Sequence, residues 1–408
     1  MENTNLKSRI GALAARCVGK PRKDYAAAGD LLRVACVFMI AWFHIWQQSW
    51  LSPVLRAGSF TLDMTVPVRV GYMFVDLMLM LSGFLLYLPY ANGREVSPRE
   101  FYTRRALRIL PSYWFCLIVM LLFAVSSPDF SDAPRLLKDL LAHLGFVHNL
   151  WSFSYNYTQL NVVLWTLAVE VQFYLILPAL APVFRKHPIP VYLAMVGMAL
   201  SFQRLWTMRL EDTTLFVNRL PNMLDAYANG LLAAHLYARL ARIKRRRWLV
   251  ALLGTLAMAA ALWGILSLLQ GQVRTSGYEG LRHGQLERRW FLTFCGAAFL
   301  VGGSLSFRPV RALCSNRVVR FFSGVSFNFY IWHQWLAVRL KVWRVPPYAA
   351  ESDPNMAGEM PWQLHYTLLC FAAALALAIL ITYAVEKPCA KLGRRLLEKY
   401  AARREAQA

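Results

Sequence analysis

The sequence predicts an all-α polytopic membrane bundle, and three observations carry that expectation. Of 408 residues, 57% are apolar and only 16% charged, where a soluble domain keeps roughly a quarter of its residues charged. The apolar residues gather in long runs, and the basic residues fall between those runs in bursts. A single soluble core of this length does not concentrate its polar residues in that way, so soluble classes are excluded.

Crossing ~30 Å of hydrocarbon at ~1.5 Å per residue takes about 20 residues. Runs of this kind recur at 31–51, 68–91, 109–127, 162–184, 189–206, 221–240, 248–269, 290–307, 323–340 and 363–386, which predicts about ten spans. An even number of spans puts both termini on one side. The segments on that side, including 1–30, 92–108, 239–247 and 387–408, hold thirty Lys and Arg against fourteen on the other side. Because basic loops stay in the cytoplasm, both termini are expected there. This leaves a cytoplasmic segment 1–30, an integral membrane domain 31–386 and a basic cytoplasmic tail 387–408.

The net charge of +23 raises the question of a nucleic-acid partner. Such binders concentrate their charge on one soluble face, whereas here it follows the span boundaries, so the bilayer is the expected partner and nucleic acid is not. The first thirty residues lack an apolar stretch before a cleavage site, so the first span is expected to anchor the chain. Seven cysteines, Cys17, Cys36, Cys116, Cys295, Cys314, Cys370 and Cys389, show no C-x-x-C spacing and read as reduced packing residues. The segment 128–161 is aromatic and amphipathic, with LLKDLLAHLGF followed by NLWSFSYNYTQL; it suits either a lid at the interface or an ordinary interfacial anchor.

Ionisable groups within spans are costly and mark function by default. Arg33, His44, Asp76, Glu170 and His333 are of this kind. Arg33 and His44 are eleven residues apart, which brings them within ~20° of one helical face and ~16 Å apart along it. Counting from the span boundaries sets His44, Glu170 and Asp76 at ~18–20 Å from the cytoplasmic side and His333 at ~15 Å, in one slab near the midplane. A histidine with its pKa near ~6.5 beside a carboxylate is equipment for proton transfer. The same groups would also suit a proton relay. No H-x-x-x-H or H-E-x-x-H spacing occurs, so no metal site is expected. On the cytoplasmic side, Arg104 and Arg108 are one helical turn apart with Arg105 beside them, a fork that fits phosphate, although inner-loop arginines also serve topology alone.

These residues, in this order, resemble the acyltransferase 3 family. The matching stretches are GDLLRVACVFMIAWFH from Gly29 to His44, VDLMLMLSGFLL from Val75 to Leu86, RRALRILPSYW from Arg104 to Trp114, LWTLAVEVQFYLILP from Leu164 to Pro178, SFNFYIWHQ from Ser326 to Gln334, and VEKP from Val385 to Pro388. The resemblance implies a ten-span protein of the bacterial inner membrane that moves acyl groups, most commonly acetyl, onto surface sugars and related acceptors. It implies that Arg33 and His44 are paired functional positions, that Arg104, Arg105 and Arg108 contact coenzyme A, that Glu170 is the fourth-span glutamate, and that His333 is a recurrent histidine. Met78, Leu79 and Met80 replace a phenylalanine-rich stretch, and Leu31 a frequent glycine; both departures bear on packing or acceptor fit.

The expected reaction has acyl-CoA as a cytoplasmic donor substrate, with no resident cofactor. Arg33, Arg104, Arg105 and Arg108 would hold the donor. His44 would act as base toward a hydroxyl of a carbohydrate or similar acceptor, Glu170 would orient it or pass the proton on, and His333 would be a second proton partner or stabilise the oxyanion. Asp76 joins the site by its depth. A proton-coupled transporter is the alternative; it would leave its solute covalently unaltered, and the inverted repeat with broken helices expected of that class is missing. A catalytically idle scaffold is the other, and would tolerate loss of His44.

Overall fold

The computed structural model describes residues 25–126, 132–348 and 354–405. Residues 1–24, with Cys17, and the last three residues of the basic tail lie outside the described residues, so most of the expected cytoplasmic N-terminal segment does too. The described residues are helical almost throughout, and the expected apolar runs fall largely on helices. Six of those helices are long and apolar enough to cross a membrane by length and composition. One element was not anticipated: an exposed antiparallel hairpin, β1 (Val54–Ala57) with β2 (Phe60–Asp63), in which Ala57 pairs with Phe60 across a turn at Gly58.

The described chain forms two compact units. The first takes the chain up to Phe43, Pro53–Glu95 and Ala179–Gly324. It contains the start of α1 (Ala28–Ser49), then α2 (Phe74–Ala91), and further along the chain the long helices at Pro188–Leu205, Leu220–Leu240, Arg247–Val273 and Tyr278–Leu305. Helix α2 is buried along most of its length, including Met80, Phe84 and Tyr87. By contrast, Arg247–Val273 turns Leu253, Leu256 and Trp263 outward, as a helix bathed in hydrocarbon does. Close approach here rests on small residues. A Cβ on Gly230 would fall 2.2 Å from the Met80 carbonyl oxygen and 2.8 Å from the Phe84 nitrogen, so the two backbones touch at that point.

The second unit takes His44–Ser52, Val96–Pro178 and Val325 onward. Its first helix, α3 (Pro98–Val125), starts on a Ser97 cap that accepts from the Glu100 amide at 3.2 Å, with Pro98 in the first turn where its missing N–H costs nothing. The amphipathic segment then forms α4 (Ala133–Leu144), capped by Asp132. Helix α4 buries Leu136, Asp139, Ala142 and His143 and leaves Leu137, Leu141 and Leu144 exposed. It is followed by α5 (Trp165–Lys186), whose later part belongs to the first unit, and by α6 (Arg317–Val342) and α7 (Met360–Ile381). The six described cysteines form no disulfide.

The amphipathic segment encloses a histidine pair. His143 and His148 stack with ring centroids 3.9 Å apart and planes 5° apart, and His143 Nδ1 lies 3.0 Å from Asp139 Oδ1. Both rings are buried. Burial, with the neighbouring His143, pushes the His148 imidazole down to about 3. A free histidine takes a proton near ~6.5, so the unfolded segment gains protons over a range where the folded one does not. The stability that the neutral His148 contributes is therefore complete above that value and falls as the pH drops towards 3.

Two outcomes are expected. Gly230→Ala should lower the thermal midpoint of the purified protein, at ~1–3 kcal/mol for an overpacked contact, while Gly197→Ala, where a Cβ meets nothing within 4 Å, should leave it within error or raise it slightly. Hydrogen–deuterium exchange across residues 133–164 should speed up as the pH falls from 7 to 4.5, and His148→Gln should flatten that dependence; a pH-independent wild type would show that His148 does not titrate with opening.

Candidate active site

Helix α1 carries both Arg33 and His44, and the last third of it delivers His44 to the second unit. There the His44 Nδ1 lies 2.8 Å from His333 Nε2, with the two rings stacked at 5.1 Å. His333 itself is fully buried on α6, and its Nδ1 lies 2.6 Å from the Tyr330 carbonyl oxygen. That last contact decides the protons. A carbonyl can only accept, so the hydrogen sits on His333 Nδ1, and in the neutral ring Nε2 is then an acceptor. His44 Nδ1–H must therefore donate to it, which leaves His44 Nε2 as the basic nitrogen of the pair.

The surroundings hold this arrangement rigid. Immediately after His44, Ile45 packs in an apolar cluster with Ala337, Leu340, Trp362, Tyr366 and Cys370, and the Tyr366 hydroxyl donates to the Ala337 carbonyl. The Tyr330 hydroxyl donates to the Val163 carbonyl at 3.3 Å, and Asn161 Nδ2 donates to the Ile331 carbonyl at 2.8 Å. Thus the turn of α6 that carries His333 is tied to the residues that lead into α5.

Glu170 stands one turn before Tyr174 on α5, and the Tyr174 hydroxyl bonds to it. The same carboxylate lies within electrostatic reach of Tyr330. Over the Tyr174 ring stands the Arg105 guanidinium, 5.9 Å from its centroid and 5.8 Å from that of Phe101. Arg104 is exposed and pairs with Glu100 at 2.7 Å. Arg108 faces Glu386, whose Oε2 accepts from Asn328 Nδ2 at 2.8 Å. All six residues lie within this unit: His44 meets His333, Glu170 meets Tyr174 with Arg105 over the same ring, and Arg104 and Arg108 stand on the outer turns of α3. Glu386 was overlooked as a participant, although it stands in the VEKP stretch; its partner Asn328, 58 residues away, gave no local signal.

The remaining two residues belong to the first unit. Arg33 is half-buried near the start of α1, one turn from Asp30, which accepts from Ser315 Oγ at 2.9 Å and Ser323 Oγ at 3.0 Å. Asp76 is fully buried and bound by Arg289 Nε at 3.0 Å and Gln285 Nε2 at 3.2 Å. The Arg289 guanidinium also donates to the carbonyls of Val217 and Asn222. Arg289 lies just outside the predicted span 290–307, but the helix begins at Tyr278 and Arg289 is buried inside it. Spacing along the chain could not show this, because only the folded pairing with Asp76 makes a buried guanidinium tolerable.

Among the described residues, no group of three or more His, Cys, Asp or Glu is placed to hold a metal ion.

The geometry can be set beside known proteins. An acyltransferase domain family model matches residues 27–384. The peptidoglycan O-acetyltransferase OatA of Listeria monocytogenes is 26% identical over 180 residues, which cover 40% of this chain and 25% of that protein. The O-acetyltransferase OatA of Staphylococcus aureus is 31% identical over 120 residues, 26% of this chain and 20% of that protein. The exopolysaccharide production protein ExoZ of Rhizobium meliloti is 27% identical over 270 residues, 65% of this chain and 76% of its own length. The matches thus span a quarter or less of the two OatA proteins. No solved structure matches.

Proposed function

The chain belongs to the acyltransferase 3 family, and from that premise we propose that it is a membrane O-acyltransferase that carries an acyl group, acetyl, from cytoplasmic acyl-CoA to a hydroxyl of a cell-surface polysaccharide. The observation that supports it most is the hydrogen-bond order Tyr330 carbonyl, His333, His44, which presents His44 Nε2 as a base. The names of the relatives, an O-acetyltransferase and an exopolysaccharide production protein, favour acetyl and a polysaccharide. In this reading the chain crosses the inner membrane ten times with both termini in the cytoplasm, as the Lys and Arg distribution favours.

The donor is an anion with three phosphate groups, and Arg104, Arg105 and Arg108 suit its nucleotide, with Arg33 also on the cytoplasmic side. Its thioester reaches His44. The imidazole takes the proton of an acceptor hydroxyl as the oxygen attacks the thioester carbonyl; the carbon–sulfur bond then breaks, and the proton passes to the departing CoA thiolate. His333 keeps the His44 ring in the reactive tautomer and shares the positive charge that forms. Glu170 stabilises that charge or carries the proton onward through Tyr174 and Tyr330. Asp76, neutralised by Arg289, holds helices together and takes no part in the transfer.

His44→Ala should insert and fold normally yet lower the release of CoA thiol from acetyl-CoA in the presence of acceptor by ~10²–10⁴-fold, the usual worth of a general base. Normal turnover from this variant would end the proposal. His333→Ala should lower kcat and alter the acid limb of the pH profile with KM for acetyl-CoA little changed. Arg104→Ala combined with Arg108→Ala should raise that KM roughly tenfold, equivalent to ~1.4 kcal/mol. Mass spectrometry of envelope glycans, with and without the gene, should show an ester-linked acyl group lost in its absence.

A further inference from the structure

The second unit holds a cleft of about 370 Å³ at the end of α3 opposite its arginines, within the ~300–1,000 Å³ range of small-molecule sites. Phe123, near the cleft, is nineteen residues beyond Arg104, or ~28 Å along the helix. The cleft is lined by Phe123, Gln159, Asn161, Gln334, Trp335 and Arg339, among others. Gln334 directly follows His333 on α6, so one residue of the cleft wall is the chain neighbour of one member of the histidine pair.

The lining is aromatic on one side and polar on the other. Trp335 meets Phe123 edge to face at 4.9 Å, and the Arg339 guanidinium stands 5.9 Å from the Trp335 ring. The side chains of Gln159, Gln334 and Arg339 have no hydrogen-bond or ion-pair partner among the described residues. The wall that bears Gln159 is held in place from behind. Asp139 Oδ2 accepts from Thr158 Oγ1 at 2.8 Å and from the Gln159 amide at 3.0 Å, and Asn161 donates to the Ile331 carbonyl. The recess is therefore built before any ligand arrives.

An indole face offers a flat apolar platform to the C–H face of a pyranose ring, side-chain amides match its paired hydroxyls as donor and acceptor at once, and a guanidinium matches a carboxylate. A fatty chain would leave both amides and the guanidinium desolvated without partners. The nucleotide of the donor is assigned to the other end of α3.

We infer that this cleft is the subsite that receives the acceptor, and that it selects an acidic saccharide, one whose sugar ring lies on Trp335 with its hydroxyls on Gln159 and Gln334 and its carboxylate on Arg339. The inference rests on the acyltransferase reading for its purpose, because it is the proximity to His333 that turns a sugar site into an acceptor site.

Isothermal titration of the full chain in lipid nanodiscs, with tetragalacturonic acid and with neutral maltotetraose as probes, tests it. The wild type should bind tetragalacturonic acid at least tenfold more tightly than maltotetraose. Arg339→Gln should erase that preference while leaving maltotetraose within twofold. Trp335→Ala should weaken both at least tenfold, and Trp335→Phe should restore much of the loss; thermal unfolding of each variant separates misfolding from lost binding. A wild type that binds neither probe, or binding that Trp335→Ala and Arg339→Gln leave unchanged, overturns the inference. Acetyl-CoA titrated into the same wild-type preparations separates the two readings: if it fails to bind while the saccharide still depends on Trp335 and Arg339, the subsite stands and the acyl-CoA reaction falls.

Discussion

A single contact, the 2.6 Å approach of His333 Nδ1 to the carbonyl of Tyr330, sets the chemistry of the second unit. Because that oxygen has no proton to give, it fixes the tautomer of His333, and His333 in turn fixes that of His44 across 2.8 Å. Two histidines without such an anchor would sample several arrangements, some with the basic nitrogen turned toward its partner. Here the choice comes from the backbone of one helical turn, which the bonds from Tyr330 to Val163 and from Asn161 to Ile331 keep in place.

The buried charges follow the same logic. A lone ionised group in an apolar interior is expensive, so each must come with a partner or a purpose. Asp76 is matched by Arg289, Gln285 and the carbonyls that Arg289 also binds, which makes it a structural pair. Glu170 is placed differently. Its hydroxyl neighbours Tyr174 and Tyr330 connect it toward Arg105 on one side and toward the histidine helix on the other. The first arrangement holds helices together; the second is what a proton path or a charge stabiliser requires.

The division of α3 into an arginine end and an aromatic end gives the second unit two chemically distinct faces. Arg104, Arg105 and Arg108 stand near its start, and Phe123 with the cleft of Gln159, Gln334, Trp335 and Arg339 near its finish. The histidine helix α6 contributes to the second of these directly, through the residue after His333.

The sequence by itself determined the helical membrane class, the positions of the long helices and the family, because apolar run length and short motifs are both written locally along the chain. It also set His44, Glu170 and Asp76 at similar depth, since depth along a helix can be counted from its boundary. The tertiary structure decided what counting could not. Depth says nothing of azimuth, so only the folded chain shows that His333 supplies the hydrogen bond to His44, that Asp76 faces Arg289, and that Glu386 reaches Asn328. The cleft beside Trp335 likewise joins residues from 123 to 339, and a surface assembled from segments so far apart in the chain has no signature in any one of them.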